Sequence, residues 1–438
     1  MTIIYTVNTT SYDTEKINTK YCETEFANYE VLTYKKEMKD VREEHSIYRS
    51  VGICPETKKL LYFSPPKAIE MNKMLEKYPD FSQTKIVATQ KIEGTMVNLF
   101  YDPRIKSWEI ATKNGVGGNY FYVRNNYDEQ DKTNNTGKQS TFREMFLDAW
   151  DSLYCEEGIT EKEEKRNIRL NDIFPDFPKE YTYSFVLQHP ENHIVSEIQT
   201  PLLYIVAVYR INSYDNEAEF IELNKVYYWD CINPRANRAF MFPYLQNKAR
   251  CDLEDYFKLP GGMNIHNTDD FDYVKNTMDG MGVMFTNVLT GDRSYIMNPV
   301  YEKLKEIRGN HPNLQYQYFS LCRSNKVDEF LHYFPMYREI FRNFCLQSLD
   351  FVQIVHNAYV TYYVNKQGKN VPIPKNIFKH IYKLHHDIYL PSLNHRKKMI
   401  ITRQVVSHYF ISMEPKEMLY HVNNNNQYRK NNQHEENV

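Results

Sequence analysis

An excess of charge of either sign is missing from this 438-residue chain: 54 Lys and Arg stand against 56 Asp and Glu, a formal net charge of −2. A polycation that coats nucleic acid is thereby excluded, and any phosphate-binding surface must be a local patch. Paired cysteines are also missing. Cys22, Cys54, Cys155, Cys231, Cys251, Cys322 and Cys345 are scattered and odd in number, and no C-x-x-C occurs. That pattern argues against a structural zinc site, a disulfide framework or a disulfide-linked partner, and for a reducing, cytoplasmic setting. No apolar run approaches the roughly 18–20 residues of a membrane span; the longest, Pro201–Tyr209, reads as a buried strand, so no membrane partner is expected. The first residues carry charges and Asn without an apolar stretch, which predicts no secretory signal.

What is present is enough to fold. Hydrophobic residues make up 42%, which excludes wholesale disorder, and the length suits two or three domains at about 150 residues each. The 37 Tyr and 24 Phe, with abundant Asn and Lys, read as the codon bias of an AT-rich genome. Aromatic abundance therefore carries little weight, and the composition suggests a virus-like replication setting.

Residues 1–45 are polar and form an N-terminal segment. From Ser46 two short strands surround the turn Pro55–Lys58, and Pro65-Pro66 stops the second. Helical spacing predicts a helix over Lys67–Tyr78. Thr95–Tyr101 and Ser107–Thr112 alternate around Asp102-Pro103-Arg104, a hairpin. Tyr127–Gln139 is a polar loop, and Thr141 with Glu144 forms a capping box for a helix Phe142–Tyr154. After the charged stretch Glu156–Arg169, strands are expected at Tyr181–Leu187, Leu202–Arg210 and Phe220–Tyr228. From about Pro299 the texture becomes helical, over Tyr301–Arg308, Val327–Tyr333, Tyr337–Tyr363, Lys375–His386 and Lys397–Phe410. Hence the expected division is a segment 1–45, an α+β domain 46–299, an α-helical domain 300–422 and a disordered low-complexity tail 423–438.

The sharpest chemical feature is Lys91-Ile92-Glu93-Gly94-Thr95 at the start of the hairpin. A lysine beside a carboxylate and a glycine suits a nucleophilic amine that must approach a phosphate, the glycine removing a Cβ from the path. Such an amine must lose its proton, which takes desolvation and cationic neighbours. A second lysine, Lys113, ends the next strand before the turn Asn114–Asn119, and Arg49 lies on the first strand of the domain. Two lysines and an arginine at strand ends can converge on one triphosphate. Lys91 and Lys113 are therefore expected to enter one cleft lined by strands from 46–64, 95–112 and 181–210.

On these residues the chain resembles the phage-type ATP-dependent RNA ligases, within the covalent nucleotidyltransferases that include DNA ligases and mRNA capping enzymes. Lys91-Ile92-Glu93-Gly94 looks like their motif I, whose lysine is adenylylated. Arg49 looks like the arginine of the preceding segment, and Lys113 like the lysine that follows. Phe185–Val195 is similar to an aromatic strand followed by P-x-N-R-I-V. Met281–Met284 and Arg293–Pro299 sit where motifs IV and V belong. Over roughly 45–310 the resemblance implies a nucleotidyltransferase core of antiparallel sheets around a nucleotide cleft. It implies ATP and Mg²⁺ or Mn²⁺ as cofactors and RNA as partner, with Lys91 catalytic. Glu93, Gly94, Arg49, Lys113 and Arg293 would bind nucleotide, Glu93 contacting the ribose or orienting Lys91. The chain departs from the pattern at Val186, Met281 and Tyr295, where two carboxylates and a lysine are expected; Asp279 could replace Met281 only through a shift of register.

Two readings follow: an RNA ligase that joins 5′-phosphate to 3′-hydroxyl ends, or a ligase-like module that binds nucleotide or RNA without chemistry. Guanylyl transfer is a third. His189 and His193 do not read as a zinc pair, because Pro190 breaks the helix that an i, i+4 site needs. Residues 375–403 hold Lys375, Lys379, Lys383, Arg396, Lys397, Lys398 and Arg403 against Asp387 alone, which suits either an RNA-contacting face or a solvated one.

Overall fold

The structure is a computed structural model, and it describes residues 3–35, 43–120, 140–154, 170, 177–221, 262–309, 313–367, 371, 373–394 and 398–424. The chain divides into two compact units, Met1–Tyr122 with Gly137–Lys305, and Val123–Thr136 with Glu306–Val438. Its fold is α+β: antiparallel sheets in the first unit and helices in the second.

The strands in chain order are β1 (Ile4–Thr6), β2 (Ile17–Glu23), β3 (Asn28–Tyr34), β4 (Val51–Ile53), β5 (Leu60–Phe63), β6 (Ile86–Gln90), β7 (Thr95–Asp102) and β8 (Ser107–Thr112). There follow β9 (Gly115–Val116), β10 (Tyr181–Gln188), β11 (Leu202–Asn212), β12 (Glu217–Ile221), β13 (Gly262–Ile265), β14 (Gly282–Asn287) and β15 (Arg293–Met297). They build a seven-stranded sheet in the order β1-β12-β11-β10-β7-β8-β9 and two four-stranded sheets, β13-β6-β14-β15 and β2-β3-β4-β5. Every pairing is antiparallel.

The β7–β8 hairpin forms as its alternation predicts. Asp102 is fully buried at the turn, where it takes the Arg104 guanidinium at 2.8 Å and the Arg104 backbone N–H at 2.9 Å. Behind the hairpin, Trp108, Phe146, Phe185 and Leu203 close a core between the large sheet and the helix Phe142–Tyr154. Its capping box is reciprocal: Thr141 Oγ1 accepts from Glu144 N, and Glu144 Oε2 from Thr141 N. Strand β11 contains the apolar run of the sequence, with Leu203, Ile205 and Val208 inaccessible to solvent.

Several expectations are corrected. The N-terminal segment is woven into the first unit: β2 and β3 lie in one sheet with β4 and β5, and β1 pairs with β12. The helix expected from Lys67 spans only Met71–Lys77, because the Ile69 N–H donates to Arg293 O and holds that stretch extended against β15. The strand β12 begins at Glu217 and its expected continuation beyond Ile221 lies outside the described residues, as do the loop 127–139 and the stretch 156–169. Asn423 and Asn424 are helical, whereas 425–438 lies outside the described residues.

In the second unit the long helix Arg338–Tyr359 buries Phe341, Phe344, Phe351, Val352 and Val355 along one stripe. Phe341 stacks on Phe330 at 5.0 Å, and Phe351 meets Phe410 of the helix Arg403–Ile411 at 5.4 Å. A helix Leu314–Ser324, unanticipated from sequence, is capped by Asn313. The long helix and the helix Lys375–Lys383 each pass into a π-helical turn, Val360–Val364 and Leu384–Tyr389. Lys375, Lys379 and Lys398 are exposed; Arg396 and Lys397 lie outside the described residues.

Candidate functional site

Strand β6 belongs to a four-stranded sheet and β7 to the seven-stranded one, so Lys91–Gly94 is the crossover between two sheets. The Lys91 N–H donates to Gly282 O at 2.8 Å, tying the crossover to the start of β14. Strand β14 pairs Val283 with Gln90 on one side and Met284 with Tyr295 on the other. This register carries Tyr295 to Lys91, whose ammonium sits 4.1 Å from the ring centroid. It also leaves Met281 where a carboxylate is expected. Asp279 is exposed in the preceding turn and accepts from the Gly280 N–H at 2.6 Å, so the register does not slip to replace Met281.

Around Lys91 lies a cluster of cations. Burial pushes its pKa down to about 8, and Arg49, Arg293 and Lys305 push in the same direction. Burial likewise brings Arg293 down to about 10; Tyr209 and Tyr5 oppose the shift, and Arg49 adds to it. Arg49 is lowered by burial against the opposing pull of Tyr34, Tyr209 and Tyr295. The Arg293 guanidinium donates to Pro66 O at 2.6 Å. Among the described residues, Lys91, Arg49 and Arg293 form no ion pair with a carboxylate. Uncompensated, desolvated cations disfavour one another, and a bound anion removes the penalty.

Glu93 is held by the segment after β10 and by Tyr301. Only 4% exposed, its carboxylate accepts from the backbone N–H groups of Ile194, of Val195 at 2.9 Å and of Ser196 at 3.0 Å, and from the Tyr301 hydroxyl at 2.8 Å. Burial would raise this carboxyl, but those four donors outweigh it and hold it below the usual range. With its oxygens engaged, Glu93 anchors the loop after β10 and the helix Pro299–Arg308. Gly94 is needed at a second close approach. A Cβ there would lie 2.4 Å from Leu187 O and 2.7 Å from Val186 Cγ1, so the close approach it permits is to β10. The two most specific motifs of the sequence thus touch: Asn192 Nδ2 donates to Thr95 Oγ1 at 2.7 Å, and Gln188 Nε2 to Glu93 O at 2.9 Å.

Lys113 is brought elsewhere. Its ammonium lies 4.9 Å from the Tyr34 ring centroid, and it lines a cavity walled by β2, β3 and Asn114, with Lys91 absent from the walls. The β2–β3 hairpin packs against the β8–β9 turn, where Cys22 Sγ lies 3.9 Å from Asn114 O. Tyr34, whose ring Lys113 and Lys67 approach, also acts electrostatically on Arg49. His189 and His193 are separately engaged, with Asp148 at 3.4 Å and with Pro190 O at 2.7 Å. Among the described residues no group of three His, Cys, Asp or Glu could hold a metal ion.

No family model matches the chain, and no curated protein does. Solved structures do. A Naegleria gruberi RNA ligase variant with ATP and Mn aligns at 8% identity over 56% of this chain and 58% of its own, with a TM-score of 0.32. The same ligase with PPi aligns at 8% identity over 66% of this chain and 98% of that one, TM-score 0.31. A putative ATP-dependent DNA ligase from Aquifex aeolicus aligns at 9% identity over 78% of each chain, TM-score 0.36. The chain is remotely similar in structure to RNA and DNA ligases. The first alignment spans less than two thirds of that ligase's own length.

Proposed function

We propose that this protein is an ATP-dependent RNA ligase that takes AMP on Lys91 and joins 5′-phosphate to 3′-hydroxyl ends. The observation that carries the reading is the Lys91 amine, brought to about 8 by burial, by Lys305 and by two guanidinium groups that have no carboxylate partner among the described residues. Desolvation and positive neighbours favour the neutral, nucleophilic amine, and the same neighbours fit a triphosphate. In the first step the Nζ lone pair attacks the α-phosphorus of ATP. An N–P bond forms, the bond to the bridging oxygen breaks, pyrophosphate leaves and the amine proton passes to water. AMP then moves to the oxygen of a 5′-phosphate, and a 3′-hydroxyl displaces it as the phosphodiester forms. Arg49 and Arg293 would balance the phosphate charge throughout.

Among the described residues the donor set around Lys91 does not fit a resident metal ion. Val186 and Met281 offer no oxygen in their side chains, and Glu93 is fully engaged. A divalent cation would have to arrive on the nucleotide's own phosphates.

One observation favours nucleotide binding without transfer: the Tyr295 face beneath Lys91 stabilises the charged ammonium. Incubation with α-labelled ATP decides between the two. The ligase reading expects acid-labile label on wild-type protein and none on Lys91→Ala or Lys91→Arg, since guanidinium stays protonated. Wild-type protein that binds ATP yet takes no label, with or without Mg²⁺ or Mn²⁺, leaves only the binding reading.

A further inference from the structure

Side chains alternate along β15, so Arg293 and Tyr295, two residues apart, project from the same face of the sheet β13-β6-β14-β15. Both act on Lys91, and with opposite sign. The Arg293 guanidinium, with Arg49 and Lys305, repels a charged Lys91. The Tyr295 ring attracts it, the ammonium standing 4.1 Å from the ring centroid. Tyr295 also acts electrostatically on Arg49. Of the neighbouring carboxylates, Glu93 is engaged by Ile194, Val195, Ser196 and Tyr301. Asp279, in the turn before β14, is exposed and accepts from the Gly280 N–H.

A lysine at 295, where the resemblance expects one, would add a fourth cation to three that already repel Lys91. A ring reverses the sign of that contact. Cation–π attraction exists only while the amine is charged, since a neutral amine offers the ring no charge to hold. The contact therefore restrains Nζ in the form that cannot attack and lapses in the form that can. The main chain of Lys91 is held separately, through its N–H to Gly282 O at 2.8 Å. Only the side chain is set free.

We propose that Tyr295 is a positioning residue that clasps the Lys91 ammonium and releases the amine on deprotonation, coupling loss of the proton to freedom to reach a phosphorus. The coupling to transfer rests on the ligase reading; the clasp itself does not.

The full chain is acetylated with limiting acetic anhydride across a range of pH, and modification of Lys91 is read in its peptide by mass spectrometry. Lys91 is half-buried and open to so small a reagent. Tyr295→Leu removes the attraction and should move the midpoint of Lys91 down by about 0.5–1 pH unit, the equivalent of a cation–π contact. Tyr295→Phe should keep it within about 0.2 pH unit, and Tyr295→Trp should raise it. A ring that merely covered the amine predicts the opposite for leucine: a smaller side chain admits water, and the midpoint rises toward that of an ordinary lysine. A midpoint that rises or stays unchanged in Tyr295→Leu, or falls equally in Tyr295→Phe, overturns the proposal. With α-labelled ATP on the acid side of the midpoint, Tyr295→Leu should take label about three- to tenfold faster than wild type, the same shift expressed as neutral amine. An unchanged rate beside a lowered midpoint overturns the coupling. Midpoints that move as stated in a protein that takes no label support the clasp and reject the ligase reading.

Discussion

A lysine that titrates near 8 is about one-tenth neutral at pH 7, whereas an ordinary lysine is neutral in roughly three molecules in ten thousand. That gain is what burial and the two guanidinium groups contribute to Lys91. Labelling of Lys91 should therefore rise with pH through about 8 and level off above it. Arg49→Gln removes one of the repelling cations, so the midpoint should move to higher pH while the requirement for ATP concentration increases. A pH–rate profile of the variant that coincides with wild type would show that Arg49 does not act on the amine. Glu93 belongs to the same short stretch but has a structural load. Glu93→Gln puts an amide N–H among backbone donors, and it should cost about 2–3 kcal/mol in denaturant unfolding. Because the folded carboxyl is held below its usual range, the native contribution is present above the unfolded pKa. It is lost as pH falls through the lowered folded value. Equal unfolding midpoints for wild type and Glu93→Gln near neutral pH would refute this role.

At the scale of elements, the decisive piece is the crossover from β6 to β7. It carries Lys91 on one sheet and sets Gly94 against β10 of another. Gly94→Ala should cost about 1–3 kcal/mol through overpacking against Leu187 O, measured as a lower melting temperature; an unchanged melting temperature would show that β10 yields freely. Much of this region was legible. The β7–β8 hairpin shows period-2 alternation with a turn, and the helix Phe142–Tyr154 announces itself through Thr141 and Glu144. What stayed hidden was β6, which is too short and too polar at Thr89-Gln90 to declare a period. With β6 unseen, Lys91 reads as the start of one strand rather than the link between two sheets. The β2–β3 hairpin was hidden for a similar reason: β2 exposes four successive residues, so its pattern does not alternate. The cavity at Lys113 depends on that hairpin, so no reading of Lys113 alone could find it. The resemblance gives Glu93 a contact to the ribose or to Lys91, while the four donors its carboxylate accepts from, on Ile194, Val195, Ser196 and Tyr301, lie a hundred or more residues away in sequence and leave no local signal.

Over the whole molecule, the second unit has its own titration. His380 is buried in the helix Lys375–Lys383, with Tyr409 Oη at 2.9 Å and His421 at 3.4 Å. Burial pushes its pKa down to about 3, and His421, Lys379 and Lys383 act in the same direction. The folded state thus refuses a proton that the unfolded chain accepts near 6.5. Stability is complete above that value and is lost as pH falls toward about 3, by up to about 1.4 kcal/mol per pH unit for one site. Thermal melts of the full chain at pH 7 and pH 5 should show a fall in the transition of the second unit, and His380→Leu should lessen it. A transition with the same acid sensitivity in that variant would assign the effect to other groups.

Strand β1 pairs with β12, Ile4 opposite Glu219. On the ribosome, at about 5–20 residues per second, β1 must wait roughly ten to forty seconds for its neighbour. The sheet β2-β3-β4-β5 needs nothing beyond Phe63 to complete its ladder and can close early in that interval. Birth order and spatial order therefore part company at β1: its backbone emerges long before the strand that covers it, and for that time its hydrogen-bonding edge is open to whatever chaperone or neighbouring chain is nearest.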